Sequence, residues 1–251
     1  MSHHLIEFID VCYSYPDGNK AVKNLHVRIQ HGESVAIVGA NGAGKSTLLK
    51  LLVGILMPEQ GEIRLGDLPV TKKTLNMVRQ VVGFTFQDPE DQLFNTSVYN
   101  DVAFGPRNYG LEENEVEKRV VRALQTVGIE HLMHRAPYKL SGGEKRAVSI
   151  ATVLSMEPNV LAMDEPSSAL DPKSRRRLIK LLQGFEHTKL IATHDLDMVL
   201  ELCSRTIVLK DGNVEYDGPT DEIMKDLKLL EQCGLEQPLM LQGCAICSTN
   251  R

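Results

Sequence analysis

Apolar positions along the chain change their period several times, and each change marks an element. Leu25, Val27 and Ile29 alternate with His26, Arg28 and Gln30, the two-residue period of a half-buried strand. Val35 to Val38 in SVAIVG are apolar without a break, which suits a strand buried on both faces, as in a parallel sheet under helices. KSTLLKLLVGIL then has helical propensity and stops before Pro58, a residue that cannot continue a helix. GEIRLGD and VVGFTFQD read as further short strands. From Glu112 the spacing shifts to Val116, Val120, Leu124 and Val127, one stripe at helical period closed by Gly128 as a C-terminal cap.

Beyond this helical section NVLAMDEP and KLIATHD read as buried strands, with a helix after Pro172 between them. In TIVLKDGNVEYDG, Asp211-Gly212 sits between alternating residues and predicts a hairpin. No repeat or low-complexity segment interrupts the pattern. The alternation of buried strands and helices predicts a mainly parallel α/β core, with an antiparallel flank from the early strands. The expected division is one domain over residues 1–234, with a helical subdomain at about 88–157 and a poorly packed tail over 235–251.

The 251 residues suffice for one domain with subdomains, and 42% hydrophobic with 24% charged is ordinary for a globular protein, so disorder is not expected. A formal charge of -5 and the lack of a long basic block argue against a nucleic acid partner. Arg175, Arg176 and Arg177 are the one tight basic run, which a solvated helix face explains. No apolar stretch reaches the roughly 18 residues of a membrane span, and MSHHLIEFIDV lacks the pattern of a secretory signal. A cytoplasmic location is expected, with any membrane role reached through a partner. Of the five cysteines, Cys244 and Cys247 form a C-x-x-C pair that reads as part of the loose tail.

The chemistry concentrates in a few short stretches. Gly39, Gly42, Gly44, Lys45 and Ser46 satisfy G-x-x-x-x-G-K-[ST] between a buried strand and a helix. Glycines at such a turn leave backbone N–H groups pointing inward, and the helix start adds partial positive charge, so the loop suits a polyphosphate. Lys45 is expected to reach the β and γ phosphates, Ser46 to hold Mg2+ and Thr47 to meet the α phosphate, with Asn41 and Ala43 completing the loop. Asp164 and Glu165 end a buried strand, where ligands bind in open α/β sheets. Asp164 is expected to serve Mg2+, and Glu165 to orient or deprotonate the attacking water. In KLSGGEKRAVSIATVL, Ser141 and Glu144 form a capping box. Gly142 and Gly143 cost that helix about 1 kcal/mol each relative to Ala, which makes sense where the backbone must closely approach an anion.

GANGAGKST, LSGGE, VLAMDEP, SALD and ATHD occur in the order and at the separations of the ATP-binding cassette (ABC) ATPases, and the resemblance covers about Leu5 to Gly218. It implies a P-loop NTPase fold with a RecA-like, mainly parallel core sheet, an antiparallel β subdomain and an inserted α-helical subdomain. In that family two cassettes dimerise head to tail with ATP between them, so Ser141, Gly142 and Gly143 would complete the partner's site. The resemblance also makes His194 the switch histidine beside Glu165, and Gln87 a ligand of Mg2+ and the lytic water. It assigns Ser168 to Asp171 to the loop across the dimer interface. Tyr15 becomes the aromatic against adenine, with Tyr13 a competitor on the same strand face.

YSYPDGNKAV, FQDPEDQLF with its second glutamine Gln92, and DVAFGP resemble the energy-coupling-factor importers, including the cobalt and nickel systems. That implies a homodimer or heterodimer of ATPases on the cytoplasmic face of the membrane, bound to a membrane coupling protein and a substrate-binding membrane subunit. The imported cargo would be a micronutrient: a transition-metal ion or a vitamin. An ATPase of iron-sulfur cluster assembly is the alternative, disfavoured by FQDPEDQLF. Chromosome-maintenance cassettes need a long coiled-coil insertion, and translation-associated ones carry two cassettes per chain; neither is present in this sequence.

Overall fold

The computed structural model describes residues 5–242. Its first sheet takes β1 (Ile6–Ser14) and β2 (Lys20–Ile29) and, after the first core strand β3 (Ser34–Val38), β4 (Gln60–Leu65) and the short β5 (Leu68–Pro69). These pair antiparallel in the order β2-β1-β4-β5. The second sheet joins β3 to β6 (Val82–Thr85), β7 (Val160–Asp164), β8 (Thr188–Ala192), β9 (Arg205–Lys210) and β10 (Asn213–Pro219), in the order β10-β9-β3-β8-β7-β6. All its pairings are parallel except β9 with β10. That exception is the hairpin at Asp211-Gly212, whose φ angles of 51° and 82° suit the tight turn that matches strand twist.

The apolar run of β3 is explained by what lies on each face. Val35 and Ile37 face a core shared with the antiparallel sheet and α1 (Lys45–Leu52), while Ala36 and Val38 face a second core shared with the remaining helices. Both sides of the strand are therefore dry, and burying a Val or Ile side chain contributes about 1.5–3 kcal/mol. The helix α1 is shorter than its sequence suggests. It ends at Leu52, before Pro58, because Gly54 turns at φ 63° and the Ile55 N–H donates back to the Lys50 carbonyl at 2.9 Å.

Two helical stretches separate the core strands. After α2 (Leu75–Val81) and β6, the chain makes α3 (Val98–Asn108), α4 (Glu113–Val127) and α5 (Gly142–Leu154) before returning to β7. The stripe Val116, Val120, Leu124 and Val127 is buried, and Gly128 caps α4 at φ 75°. α6 (Pro172–Gln183) starts from Asp171, whose carboxylate accepts from the N–H groups of Lys173 and Ser174. Arg176 and Arg177 of its basic run are exposed, as a solvated face requires, with Arg176 paired to Glu201 and Arg177 over the carbonyls of Val127 and Gly128, whereas Arg175 is half-buried in a two-pronged ion pair with Asp195 at 2.6 and 2.7 Å.

α7 (Leu196–Leu202), α8 (Thr220–Ile223) and α9 (Leu227–Gln232) complete the described helices, none of which is long and apolar enough to cross a membrane. The stretch expected to be loose is held at its start. Leu235 packs on the helical core, and the N–H groups of Leu239 and Met240 donate to the Asp197 carboxylate at 3.3 and 2.8 Å. Cys244 and Cys247 lie outside the described residues.

Candidate functional site

The turn between β3 and α1 is shaped by its own surroundings. A Cβ on Gly39 would lie 2.3 Å from the Leu209 carbonyl oxygen, and one on Gly44 would lie 2.4 Å from that of Ala21. Both residues, and Gly42, take positive φ, at 152°, 107° and 81°. The backbone that results lines a cleft of about 410 Å³ with Tyr15, Asn19, Ala21, Asn41, Gly42, Ala43, Gly44, Lys45, Ser46, Thr47, Gln87 and Glu165. Lys45 is almost fully buried, its Nζ donating to the carbonyls of Gly39 at 2.7 Å and Ala40 at 3.1 Å. Burial pushes its pKa down while Glu165 and Asp164 push it up.

Tyr15, not Tyr13, lines the cleft; its hydroxyl shares a 3.0 Å hydrogen bond with Thr47 Oγ1, and the two tyrosine rings meet edge to face. Sequence alternation put both tyrosines on one face, and the cleft separates their roles.

At the end of β7, Asp164 is buried and accepts from Ser46 Oγ at 2.9 Å. Burial pushes its carboxyl pKa up against that hydrogen bond, and the neighbouring Glu165 adds to the rise. Glu165 itself sits at φ 47°, a left-handed conformation that costs a non-glycine residue about 1–3 kcal/mol. The surroundings hold it there. Its N–H donates to the Ala192 carbonyl at 2.8 Å, and Oε2 gathers Thr193 Oγ1 at 3.1 Å, the His194 N–H at 3.3 Å and His194 Nδ1 at 2.8 Å. No described residue donates to Oε1. One oxygen anchors the carboxylate and the other remains for a ligand, while the His194 side chain is 68% exposed.

Ser46, Asp164 and Gln87 supply hydroxyl, carboxylate and amide oxygens in one neighbourhood. Among the described residues no group of three or more His, Cys, Asp or Glu could hold a metal alone. Mg2+ typically takes one or two carboxylates and completes its octahedron with water and substrate phosphates, so this donor set fits it.

Ser141 caps α5 with the full capping box: its Oγ accepts from the Glu144 N–H at 3.3 Å, and the Glu144 carboxylate accepts from the Ser141 N–H at 2.7 Å. That hydrogen bond, with a second from the Ser141 hydroxyl, holds the Glu144 pKa down. Gly142 shares a separate cleft of about 470 Å³ with Gln87, Asp164, Ser168 and Ala169. Ser141 and Gly143 line neither cleft. A Cβ on Gly142 would meet nothing within 4 Å, and on Gly143 only Leu170 and Asp171 at ordinary contact distance. Thus the structure gathers Tyr15, the phosphate loop, Gln87, Asp164, Glu165 and His194, brings Gly142 only to the adjoining cleft, and leaves Ser141 and Gly143 apart.

Sequence reasoning missed Asn19 and Ala21 in the cleft wall, Thr193 as a holder of Glu165, and Arg146. Arg146 is buried on α5 and donates to the carbonyls of Phe86 and Gln87. The signal was present: it falls on the same helix face as Ile150, a charge in an apolar stripe.

The family model described as ABC transporter matches residues 22–168, which span the phosphate loop, the serine-glycine turn and the paired acids. An ABC transporter ATP-binding protein of Geobacter sulfurreducens is 58% identical over 98% of this chain and 99% of its own length. An energy-coupling factor transporter ATP-binding protein of Methanothermobacter thermautotrophicus is 42% identical over 93% of this chain and 77% of its own. Among solved structures, cbiO1 from Clostridium perfringens, part of the ABC transporter complex cbiONQ, superposes with a TM-score of 0.79 and 40% identity, covering 92% of this chain and 94% of its own. With the phosphate cradle, the anchored glutamate and these likenesses together, the chain belongs to the ABC transporter family, as one of its ATP-binding and ATP-hydrolysing subunits.

Proposed function

We propose that the protein is the ATPase subunit of an energy-coupling-factor-type importer, working as a head-to-tail pair of cassettes beneath a membrane coupling protein. The cargo class is a micronutrient, a transition-metal ion such as cobalt or nickel or a vitamin, recognised by a separate membrane subunit. The location is the cytoplasmic face of the membrane, as a peripheral subunit. Support comes from the likeness to an energy-coupling factor ATPase and to a cbiONQ component.

ATP occupies the loop cleft, with its adenine against Tyr15 and its phosphates on the amides of residues 41–47. Lys45 exchanges its loop carbonyls for the β and γ phosphates, which repays its burial. Ser46, Asp164 and Gln87 would hold Mg2+, which would neutralise phosphate charge. Glu165 orients the attacking water through Oε1, with Thr193 and His194 fixing the other oxygen. Ser141, Gly142 and Gly143 present the start of α5 to the nucleotide of the partner cassette, since no part of their own chain requires those glycines.

One observation carries the coupling to a membrane partner. A groove of about 590 Å³ is lined by Val53, Ile55, Phe84, Phe86, Phe104 and Met156 among others, and its walls include the exposed Ile55 and Phe104. The end of β6 and the residues after it put Phe84 and Phe86 in the groove and Gln87 in the nucleotide cleft. An apolar helix of a coupling protein seated there would sense the nucleotide through one residue's separation. Co-expression with an energy-coupling-factor-type membrane coupling protein tests the reading. Phe104→Glu is expected to abolish co-purification in detergent while ATP still binds; full retention of the coupling protein by that variant would refute the docking site.

A further inference from the structure

Arg146 has no role in the motifs, yet it makes the most direct link between α5 and the Gln87 loop. Its Nη1 donates to the Phe86 carbonyl at 2.7 Å and its Nη2 to that of Gln87. The side chain is buried, and among the described residues no carboxylate comes within ion-pair distance; Asp88, Asp164 and Glu165 act on it from farther away. Its Nε has no hydrogen-bond partner. A buried guanidinium with an unpaired donor and no ion-pair partner is a poor device for stability. Its planar fork, however, suits the holding of two successive carbonyls, which a lysine's single point charge cannot copy.

The clamp extends along the helix. Lys145 pairs with Glu90, and Gln92 both donates to the Ser149 carbonyl at 2.9 Å and accepts from Ser149 Oγ at 2.7 Å. One face of α5 thus grips the loop from Phe86 to Gln92. Arg146 lies four residues beyond Gly142, about 6 Å along the same helix. A displacement of the serine-glycine turn therefore reaches Gln87 through one rigid element.

We infer that Arg146 is a positioning residue that ties Gln87 to α5, so that engagement of one cassette's serine-glycine turn with its partner's nucleotide sets the position of Gln87 in that cassette's own site. This rests on the head-to-tail reading above. Nucleotide in one site then favours the hydrolytic arrangement in the other, because the bound state selects one of two positions of a shared helix.

A double-mutant cycle on the purified protein tests it. Arg146→Lys and Gln87→Ala are made singly and together, with kcat and KM for ATP measured on each and nucleotide affinity titrated on the monomer. Arg146→Lys alone is expected to lower kcat about 10-fold with KM and monomer affinity within about 2-fold, and in the Gln87→Ala background to add less than about 2-fold. An equal loss in both backgrounds, or an unchanged kcat, would overturn the proposal. If Arg146→Lys fails to fold, Gln92→Met releases the same loop from α5, and the same non-additivity with Gln87→Ala is required of it. A Ser141→Ala protein with wild-type kcat would instead sink the head-to-tail reading, whereas an impaired Ser141→Ala protein with an equal Arg146→Lys loss in both backgrounds sinks the Arg146 proposal alone.

Discussion

Two glycine-rich turns open helices in this protein, and they differ in what holds them. In the phosphate loop, Gly39 and Gly44 take positive φ against backbone carbonyls that leave no room for a methyl group. The surrounding fold dictates them. At the start of α5 neither Gly142 nor Gly143 takes positive φ, and a methyl group on either would fit. A glycine that its own chain does not require, at the exposed end of a well-capped helix, points to something outside the chain that comes close. The first turn is shaped by its own chain, and the second is left open by its own chain, as the proposed head-to-tail pair requires.

The strongest way to break this contrast is a matched pair of methyl insertions. Gly44→Ala is expected to destabilise the protein by about 3 kcal/mol or more, from the clash with Ala21 added to the strained φ, and to abolish nucleotide binding. Denaturant titration and nucleotide titration read both effects. Gly142→Ala is expected to leave stability unchanged or raise it by up to about 1 kcal/mol, since alanine is the better helix former. Its ATPase rate is nevertheless expected to fall about 10- to 100-fold, with monomer nucleotide affinity retained. A stable, fully active Gly142→Ala protein would erase the distinction between the turns.

A smaller effect sharpens the first half. The fold raises the Asp164 pKa, chiefly by burial, above its unfolded value. The carboxyl therefore favours the nucleotide-free fold most below the unfolded pKa, and that contribution is lost as pH rises through the folded pKa. Asp164→Asn is expected to flatten this slope and, at neutral pH, to raise the nucleotide-free Tm by about 2–4 °C per kcal/mol relieved, while reducing the extra stability conferred by Mg2+ and ATP. Melting curves across pH check it; a lowered Tm at neutral pH without nucleotide would contradict the sign.

The phosphate loop and paired acids were legible in the sequence because local rules suffice for them: apolar strands, glycines and a lysine at fixed spacing. The sheet was legible for the same reason, its strands being unbroken apolar runs. The helix α1 was read too long because its end depends on the conformation of Gly54, not on Pro58. In the arginine run of α6 only Arg175 departs from the solvated face, because its partner Asp195 is distant in sequence. The partners of Arg146 are backbone carbonyls, which no residue type announces, so its one trace in the sequence is a charge within the apolar stripe of α5. The start of the tail was misjudged as loose because Asp197 ties it down from a helix some forty residues earlier.

The central claim is that each ATP site is assembled from the phosphate loop of one chain and the serine-glycine turn of another. Lys45→Ala and Ser141→Ala proteins, each inactive alone, test it when mixed and allowed to exchange subunits. If the sites are shared, both defects in a mixed pair fall in one site and the other is intact, so ATPase activity returns to at most about a quarter of the wild-type rate at equal mixing, and to less than that in proportion to the coupling between the two sites. If each chain completes its own site, every site keeps one defect, and the mixture stays as inactive as its components.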